Sequence, residues 1–262
     1  LKRLWVPKGH PTSSVKVIGI KGGDYGDANE VTSQIMEIGG WRREGGVHNV
    51  ARRDGIGSLI LTATEAIGAL PKHYFQGVGG GPGPIGVHEM AQRAIEAGFA
   101  SGPVPRQHLS QNAEFCLVHD AWQKRTFELT PAIESVHPNV YSDLLVNRAP
   151  AYSVRGGLFD MLVESNGATY AVSYQDAEKA DRLFRETEGI DPLSPGAVAL
   201  ASLQQAIYRG EVHRDDTILL NISGGGQERF MAEHETEVVK PIAVVSKEEA
   251  VRMGRSLTYS SQ

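Results

Sequence analysis

Two glycine clusters carry the clearest chemical signal in the sequence, and each one follows a run of apolar residues. The first lies within residues 77–86, before a segment with helical spacing, and the second is residues 224–226. Glycine lets backbone N–H groups converge on an anion, and the N-terminus of a following helix adds about half a positive charge. The first cluster therefore predicts a phosphate-binding loop, and the alternative is a strand-to-helix turn that holds no ligand.

A serine hydroxyl precedes the second cluster, at the end of its apolar run. In this position Ser223 suits the ring nitrogen of pyridoxal phosphate, a cofactor whose phosphate the first cluster could hold. A serine partner leaves that ring nitrogen unprotonated, which favours β-elimination and replacement over reactions that need a full carbanion. The alternative interpretation is that Ser223 only caps its own turn.

The segments around these residues alternate between strands and helices. This order predicts an α/β fold in three layers, with a mostly parallel sheet and helices on both faces. Ligands bind outside the carboxyl ends of the strands in such sheets, so we expect both glycine clusters at one crevice. The predicted strands are residues 15–20, 73–78, 106–111, 167–173 and 217–222, and the predicted helices are residues 24–38, 54–67, 84–97, 112–125, 131–146, 158–164, 174–188 and 194–210.

The composition of the chain argues against several classes of protein. The net charge is −5 and basic residues form no run, which argues against a nucleic-acid partner or an anionic membrane surface. No stretch is long and apolar enough for a membrane span, and no signal peptide is recognisable, so we expect a cytoplasmic protein. Histidines and the single cysteine show no metal-ligand spacing, and we interpret Cys116 as a small buried side chain rather than a nucleophile.

Other chemical motifs are weaker. Residues 81–86 formally fit the glycine fingerprint of nicotinamide cofactors, but the acidic residue expected about 20 positions later is absent. Arg106 stands in that region, which leaves an NADP site open as an alternative. No nucleophile elbow of a hydrolase occurs, and we interpret His88 as a packing or surface residue. Arg52 and Arg53 could bind an oxyanion, or could form surface ion pairs with neighbouring carboxylates.

Longer blocks of the sequence resemble fold-type II pyridoxal-phosphate enzymes, and among them the cysteate synthases, which are relatives of threonine synthase. The resemblance implies the fold of the tryptophan synthase β subunit, here incomplete. It extends over almost the whole chain and is more specific than any glycine pattern. The blocks that carry it are residues 4–7, 23–25, 44–46, 49–53, 73–76, 147–150, 152–154, 156–158, 188–191 and 215–222.

The resemblance implies pyridoxal 5'-phosphate as the cofactor and a β-replacement as the reaction. O-phospho-L-serine and sulfite would give L-cysteate and phosphate, a step of coenzyme M biosynthesis, and the full-length enzyme would be a homo-oligomer. The cofactor phosphate would be held by Gly79, Gly80, Gly81 and Gly83, while Ser223 would meet the pyridine nitrogen. Candidates for binding substrate anions are Asn49, Arg52 and Arg53.

The chain also departs from the family pattern in the phosphate loop. The family has hydroxyl residues where this chain has Gly80 and Pro82, and a glycine where it has Pro84. The two prolines remove two potential N–H donors. Arg155 replaces a small hydroxyl residue, which could alter the substrate.

The Schiff-base lysine of the family belongs to an N-terminal segment that would precede everything in this chain. No lysine here occupies that motif; the lysines are Lys2, Lys8, Lys16, Lys21, Lys72, Lys124, Lys179, Lys240 and Lys247. We therefore expect residues 1–262 to be the C-terminal part of a fold-type II catalytic domain and to be inactive alone. Residues 1–70 would include the rest of the smaller subdomain, 71–230 the main part of the large subdomain, and 231–262 a tail.

Two further functions are left open by the residues. One is a threonine synthase-like enzyme that acts on another phosphorylated amino acid. The other is a non-catalytic module that binds a phosphate-bearing ligand, which the missing lysine and the altered loop would favour.

Overall fold

The structure is a computed structural model that describes residues 5–9, 16–37, 40–130 and 139–259, with side chains up to residue 257. Contacts divide the chain into two compact units. The terminal unit comprises Leu1–Glu44 with Glu228–Gln262, and the sheet unit comprises Gly45–Gln227. Residues 45–70 pack with the sheet unit, and the assignment of residues 1–70, 71–230 and 231–262 to two subdomains and a tail stays a prediction.

The elements are numbered in chain order. The strands are β1 (Trp5–Pro7), β2 (Ile18–Ile20), β3 (His73–Gly77), β4 (Arg106–Asn112), β5 (Ala168–Val172), β6 (Ile218–Leu220), β7 (Thr236–Val238) and β8 (Ala243–Val245). The helices are α1 (Tyr25–Met36), α2 (Val50–Ile67), α3 (Pro82–Glu96), α4 (Leu117–Gln123), α5 (Leu158–Glu164), α6 (Tyr174–Glu188), α7 (Ser194–Tyr208), α8 (Gln227–Glu233) and α9 (Lys247–Tyr259). None of the described helices is long and apolar enough to cross a bilayer.

The terminal unit joins the two ends of the chain. Strand β1 pairs antiparallel with β7, and β2 pairs parallel with β8. Helix α1 begins as the sequence predicts, because the carboxylate of Asp24 accepts from the backbone N–H of Asp27 while Asp27 accepts from Asp24 in a capping box. Val31 of α1 shares a small buried core with Ala250 and Val251 of α9.

The sheet unit confirms the predicted fold class. Four strands pair in parallel in the order β5-β4-β3-β6. Side chains alternate across the sheet, so Tyr74 packs with Ile60 of α2 and Val87 of α3, whereas Phe75 packs with Val198 of α7. Helices α2, α3, α4 and α5 therefore cover one face, and α6 and α7 cover the other.

Helix α2 begins at Val50, earlier than the predicted start at residue 54. The Oδ1 atom of Asn49 accepts from the backbone N–H of Arg52 at 3.1 Å and caps the helix at Val50. Asp54 lies inside α2 and binds Arg93 of α3 with an N–O distance of 2.7 Å. Asparagine and aspartate are equally good N-caps, so local sequence could not choose between them.

Helix α4 is shorter than the predicted residues 112–125, because strand β4 continues to Asn112. The side chain of Gln111 caps α4 from the strand, since its Oε1 atom accepts from the N–H groups of Val118 and His119 at 2.9 and 3.1 Å. The helix predicted over residues 131–146 is absent from residues 139–146, which hold a short 3-10 turn, Asp143–Leu145. Residues 131–138 lie outside the described residues, as does Val15 of the first predicted strand.

Candidate functional site

The first glycine loop, residues 79–83, joins strand β3 to helix α3. Gly81 has a φ of +98° and occupies the N-cap position, which requires glycine. Protein atoms line the loop on its other side, because a Cβ atom at Gly79 would lie 3.1 Å from the Leu144 carbonyl oxygen. A Cβ atom at Gly80 would lie 3.1 Å from Asn147 Nδ2. Side chains are therefore excluded and the backbone itself forms the surface of the loop.

The N–H groups of this loop can bind an anion. Within the described part of the chain, the N–H groups of Gly79, Gly80, Gly81 and Gly83 donate to no acceptor. Pro82 occupies the first position of α3, and proline has no N–H to offer there or at Pro84. The remaining N–H groups lie at the positive end of the helix dipole, so the loop fits a phosphate group although the prolines reduce the number of donors.

The second glycine loop, residues 221–226, follows strand β6. Parallel pairing of β6 with β3 places Leu220 opposite Phe75, and the Asn221 N–H continues the ladder by donating to the Phe75 carbonyl oxygen at 2.9 Å. Both glycine loops therefore leave the same edge of the sheet from neighbouring strands. The prediction that the two clusters share one edge is confirmed, whereas the roles of their residues stay predictions.

The first turn of α7 packs against the ends of both strands. A Cβ atom at Gly77 would lie 2.7 Å from the Pro195 carbonyl oxygen. A Cβ atom at Gly196 would lie 2.5 Å from the Ile222 carbonyl oxygen. Pro195 therefore contacts the end of β3, and Gly196 contacts the residues that follow β6. The same turn of α7 packs beneath the starts of both glycine loops.

Ser223 is exposed and adopts a left-handed backbone with a φ of +60°. Its backbone N–H donates to Asn221 Oδ1 at 2.8 Å, and its hydroxyl donates to the same atom at 3.3 Å. The short backbone bond holds the turn, while the longer hydroxyl contact is weak. The hydroxyl can therefore turn to another partner without leaving Asn221 Oδ1 unsatisfied.

The substrate candidates Asn49, Arg52 and Arg53 lie at the start of α2. Asn49 caps the helix, and Arg52 is exposed in its first turn. The guanidinium of Arg53 forms an ion pair with Glu89 of α3 at 2.8 Å and donates to the Val47 carbonyl oxygen. Arg53 therefore joins α2 to α3 and to the preceding segment. Arg155, the other unusual residue, is exposed.

The sequence predicts a packing or surface role for His88 and a small buried side chain at Cys116, and the second prediction holds only in part. His88 is buried on α3, and its Nε2 atom lies 2.9 Å from Glu164 Oε2. Cys116 is half-buried, and burial together with Asp120 raises the pKa of its thiol to about 12. A thiol that stays protonated is a poor nucleophile, which agrees with the interpretation that Cys116 is not a nucleophile.

Sequence reasoning missed Tyr74 and Gln76, which lie beneath the first glycine loop. Tyr74 is fully buried, and its hydroxyl accepts from Asn221 Nδ2 at 2.8 Å and donates to Gln76 Oε1 at 2.7 Å. Burial raises the pKa of Tyr74, so its hydroxyl stays protonated. The available signal was a tyrosine and a glutamine two positions apart in an apolar strand, because a buried phenol needs polar partners.

A second polar cluster lies on the sheet away from the glycine loops. His73, at the start of β3, lies 2.9 Å from His108 on β4 and 3.2 Å from Asp216, which precedes β6. His108 also lies 2.8 Å from the Tyr170 hydroxyl. This histidine cluster joins the strands near their amino ends. Among the described residues, no group of three or more histidine, cysteine, aspartate or glutamate side chains is arranged to hold a metal ion.

Comparison with protein families gives one match over most of the chain. Residues 12–224 match the family described as pyridoxal-phosphate dependent enzyme.

Several similar proteins are named cysteate synthase. The chain is 40% identical over 247 residues to the cysteate synthase of Methanosarcina barkeri, a match that covers 92% of this chain and 59% of that protein. It is 42% identical over 252 residues to the cysteate synthase of Methanosarcina acetivorans, covering 94% of this chain and 60% of that protein. The chain thus spans less than two thirds of the length of these relatives.

Solved structures agree with the fold. An L-serine ammonia-lyase from Rhizomucor miehei superposes with a TM-score of 0.54 at 16% identity, over 69% of this chain and 55% of that chain. A threonine deaminase from T.th. gives a TM-score of 0.50 at 17% identity, over 68% of this chain and 58% of that chain. At these identities the likeness shows a shared fold alone.

Proposed function

The chain belongs to the family of pyridoxal-phosphate dependent enzymes, and on this basis we propose that it forms part of an enzyme that makes L-cysteate from O-phospho-L-serine and sulfite. The reaction would break the bond between Cβ and the phosphate oxygen and form a bond between Cβ and the sulfur of sulfite. The α-proton would be removed and later returned, and inorganic phosphate would leave. The likeness to cysteate synthases over 92% and 94% of the chain supports this proposal, and coenzyme M biosynthesis is its proposed context.

The observation that carries the proposal is the first glycine loop, whose N–H groups donate to no acceptor among the described residues. This loop follows β3, and Ser223 follows the neighbouring strand β6. We propose that Gly79, Gly80, Gly81 and Gly83 hold the phosphate of pyridoxal phosphate through these groups. Backbone donors at a helix N-terminus are already oriented, so binding costs little rearrangement. When bound, the cofactor supplies an electron sink for removal of the α-proton.

Ser223 is our proposed partner of the ring nitrogen. A hydroxyl has one proton, so donating it to an unprotonated ring nitrogen requires giving up the 3.3 Å contact with Asn221. The 2.8 Å bond from the backbone N–H keeps Asn221 Oδ1 occupied during that change. The arrangement therefore keeps the turn intact while the hydroxyl proton is reassigned.

For the substrate anions, Asn49 and Arg52 stay our candidates at the first turn of α2. The ion pair with Glu89 and the bond to Val47 already use the guanidinium of Arg53. Its proposed part is therefore to hold the segment before α2 in place. A charged hydrogen bond of this kind is stronger than a neutral one, which makes it suited to fixing a loop.

We also propose that residues 1–262 are inactive alone and form the C-terminal part of a longer catalytic domain. The sheet unit has three lysines. Lys72 precedes β3 and binds Asp216 at 2.6 Å, away from the glycine loops. Lys124 is exposed directly after helix α4, and Lys179 is exposed on α6. These positions do not suit a lysine that must reach the cofactor from the loop edge.

The test compares the 262-residue chain with a version as long as its relatives. Each protein is mixed with pyridoxal phosphate, O-phospho-L-serine and sulfite, and cysteate and phosphate are measured. We expect sulfite-dependent cysteate only from the longer version. O-phosphohomoserine serves as the alternative donor, because threonine formation from it would replace our proposal with a threonine synthase-like activity.

Two other results would also contradict us. An absorbance band of a protonated imine in the 262-residue chain would show that one of its own lysines binds the cofactor. Tight binding of pyridoxal phosphate without turnover by the longer version would instead favour a non-catalytic binding module.

A further inference from the structure

Hydrogen bonds connect the second glycine loop to Gln76, and the Gln76 amide packs against the first turn of α3. The Ser223 N–H donates to Asn221 Oδ1 at 2.8 Å, and Asn221 Nδ2 donates to the Tyr74 hydroxyl at 2.8 Å. The Tyr74 hydroxyl then donates to Gln76 Oε1 at 2.7 Å. A Cβ atom at Gly83 would lie 2.7 Å from Gln76 Oε1 and closer still to Nε2, so this amide packs against the loop.

The donors and acceptors in this sequence of bonds leave little freedom. Because Asn221 Oδ1 accepts from Ser223, the Nδ2 group is the atom that faces Tyr74. The phenol oxygen accepts that bond, so its single proton goes to Gln76 Oε1. The amide of Gln76 is thereby oriented with Nε2 as its remaining donor, beside Gly83.

Tyr74 is the central member of this sequence and the most buried. Its side chain is 0% exposed and packs among Ile60, Leu70 and Val87. Water therefore cannot replace the phenol oxygen, and a buried polar group that loses its partner is costly. The apolar surroundings fix the ring, and the ring in turn fixes the position of the hydroxyl between the two amides.

We propose that Tyr74 is a positioning residue that sets the two glycine loops jointly, holding Ser223 through Asn221 and the first turn of α3 through Gln76. The inference rests on the proposed function only for the identity of the ligand. An anion bound to the first loop would contact the first turn of α3, which packs against the Gln76 amide. A shift of that turn would therefore change the bond from Tyr74. Coupling of this kind is reciprocal, so the state of either loop affects the other.

The test is amide hydrogen exchange of the 262-residue chain, with and without inorganic phosphate. In the Tyr74→Phe variant, we expect exchange to accelerate roughly tenfold at two hydrogen-bonded reporters, the Ile85 N–H, which donates to the Gly81 carbonyl oxygen of the first loop, and the Ser223 N–H of the second loop. A tenfold change corresponds to the loss of a buried hydrogen-bond partner. In the wild type, phosphate is expected to slow exchange at residues 79–83 and also at residues 223–226. In the variant, phosphate is expected to protect only residues 79–83.

Tyr170→Phe is the matched control. Tyr170 is also 0% exposed in the same sheet, and its hydroxyl also has two polar partners, His108 at 2.8 Å and Glu211 at 3.0 Å. This variant loses a comparable set of bonds, so a general loss of stability would appear in it too. If both variants accelerate hydrogen exchange in the two loops equally, Tyr74 does not couple the loops. The same conclusion follows if Tyr74→Phe changes exchange in one loop alone.

A second variant covers the case in which Tyr74→Phe fails to fold. Gln76→Met removes the acceptor on the far side of the phenol while keeping the length of the side chain. We expect faster exchange at residues 223–226, although Gln76 does not touch them, and unchanged exchange there would overturn the proposal. If phosphate does not slow exchange at residues 79–83 of the wild type, the proposed phosphate-binding role of this loop is wrong. The comparison of variants without phosphate still tests the role of Tyr74.

Discussion

Among the individual residues, Gly81 has two independent reasons for being a glycine. Its φ of +98° lies in the left-handed region, and a Cβ atom there would lie 3.0 Å from the Leu158 side chain. The first reason applies to any residue that carries a Cβ atom, while the second depends on what packs nearby. The position at the start of α3 adds a functional reason, because a side chain pressed against Leu158 would displace the loop whose N–H groups we propose bind the anion.

We predict that Gly81→Ala weakens phosphate binding, while Gly102→Ala does not. Gly102 has a similar φ of +94°, but a Cβ atom added there would meet no atom within 4 Å, so it is a matched control for backbone strain. Both variants should lose about 1–2 kcal/mol of stability from the left-handed backbone. Titration with pyridoxal phosphate measures the difference, and equal affinity in both variants would contradict the role of the loop.

Arg53 illustrates a contact that no local pattern could indicate. Its partner Glu89 lies 36 positions later, on a different helix. The sequence offered Asp54 and Glu44 as nearer carboxylates, and Asp54 instead binds Arg93. Charged residues are common on helix surfaces, so the choice of partner depends on how the helices cross.

Between elements, the packing of helices α2 and α3 depends on glycines. A Cβ atom at Gly57 would lie 2.7 Å from the Gly86 carbonyl oxygen, and one at Gly86 would lie 2.5 Å from the Arg53 carbonyl oxygen. Both neighbours are backbone atoms, which cannot move aside as a side chain can. Close approach of the two helices brings the first turn of α2 to α3, the helix at which the first glycine loop ends.

We predict opposite effects from two alanine substitutions in α2. Gly57→Ala should destabilise the protein by about 1–3 kcal/mol through overpacking against α3. Gly55→Ala, where a Cβ atom meets nothing within 4 Å, should stabilise it by about 0.5–1 kcal/mol because glycine is a poor helix former. Urea denaturation measures both changes, and stabilisation by Gly57→Ala would show that the helices lie farther apart.

Across the whole sheet unit, the histidine cluster links strands β3, β4 and β5 to the residue before β6. Burial lowers the pKa of His108 to about 3, with smaller effects from Arg106 and His73. Burial also lowers the pKa of His73, although its hydrogen bond with Asp216 acts in the opposite direction. The His108 ring is therefore neutral in the folded protein near pH 6.

We predict that stability falls as pH decreases from about 6.5 toward 5. In this range the unfolded chain takes up a proton on His108, which the folded protein keeps neutral, so the loss is up to about 1.4 kcal/mol per pH unit for this residue. Denaturation at several pH values measures the slope. His108→Gln should flatten the slope, whereas substitution of the exposed His213 by glutamine should not. A rise in stability toward pH 5 would show that the cluster binds a proton instead.

Short-range patterns were sufficient to predict the class of fold and the place of the two glycine loops. The alternation of strand and helix patterns extends over a few residues at a time, as do the caps that the structure shows at Asp24, Ser173 and Gly189. Signals of that range can be recognised from the local sequence, without knowledge of the rest of the chain. Because parallel strands direct their carboxyl ends to one edge, these local patterns were enough to bring the glycine loops together.

The partners of the polar residues, in contrast, follow from the packed fold alone. The start of α2 at Asn49 rather than Asp54, the capping of α4 by Gln111, and the link through Tyr74 depend on the surroundings of each side chain. Gly57 lies inside α2 although glycine weakens a helix, because its nearest neighbour there is a backbone atom of α3. Contacts between distant segments are made only once the sheet and helices are packed, so no local pattern records them.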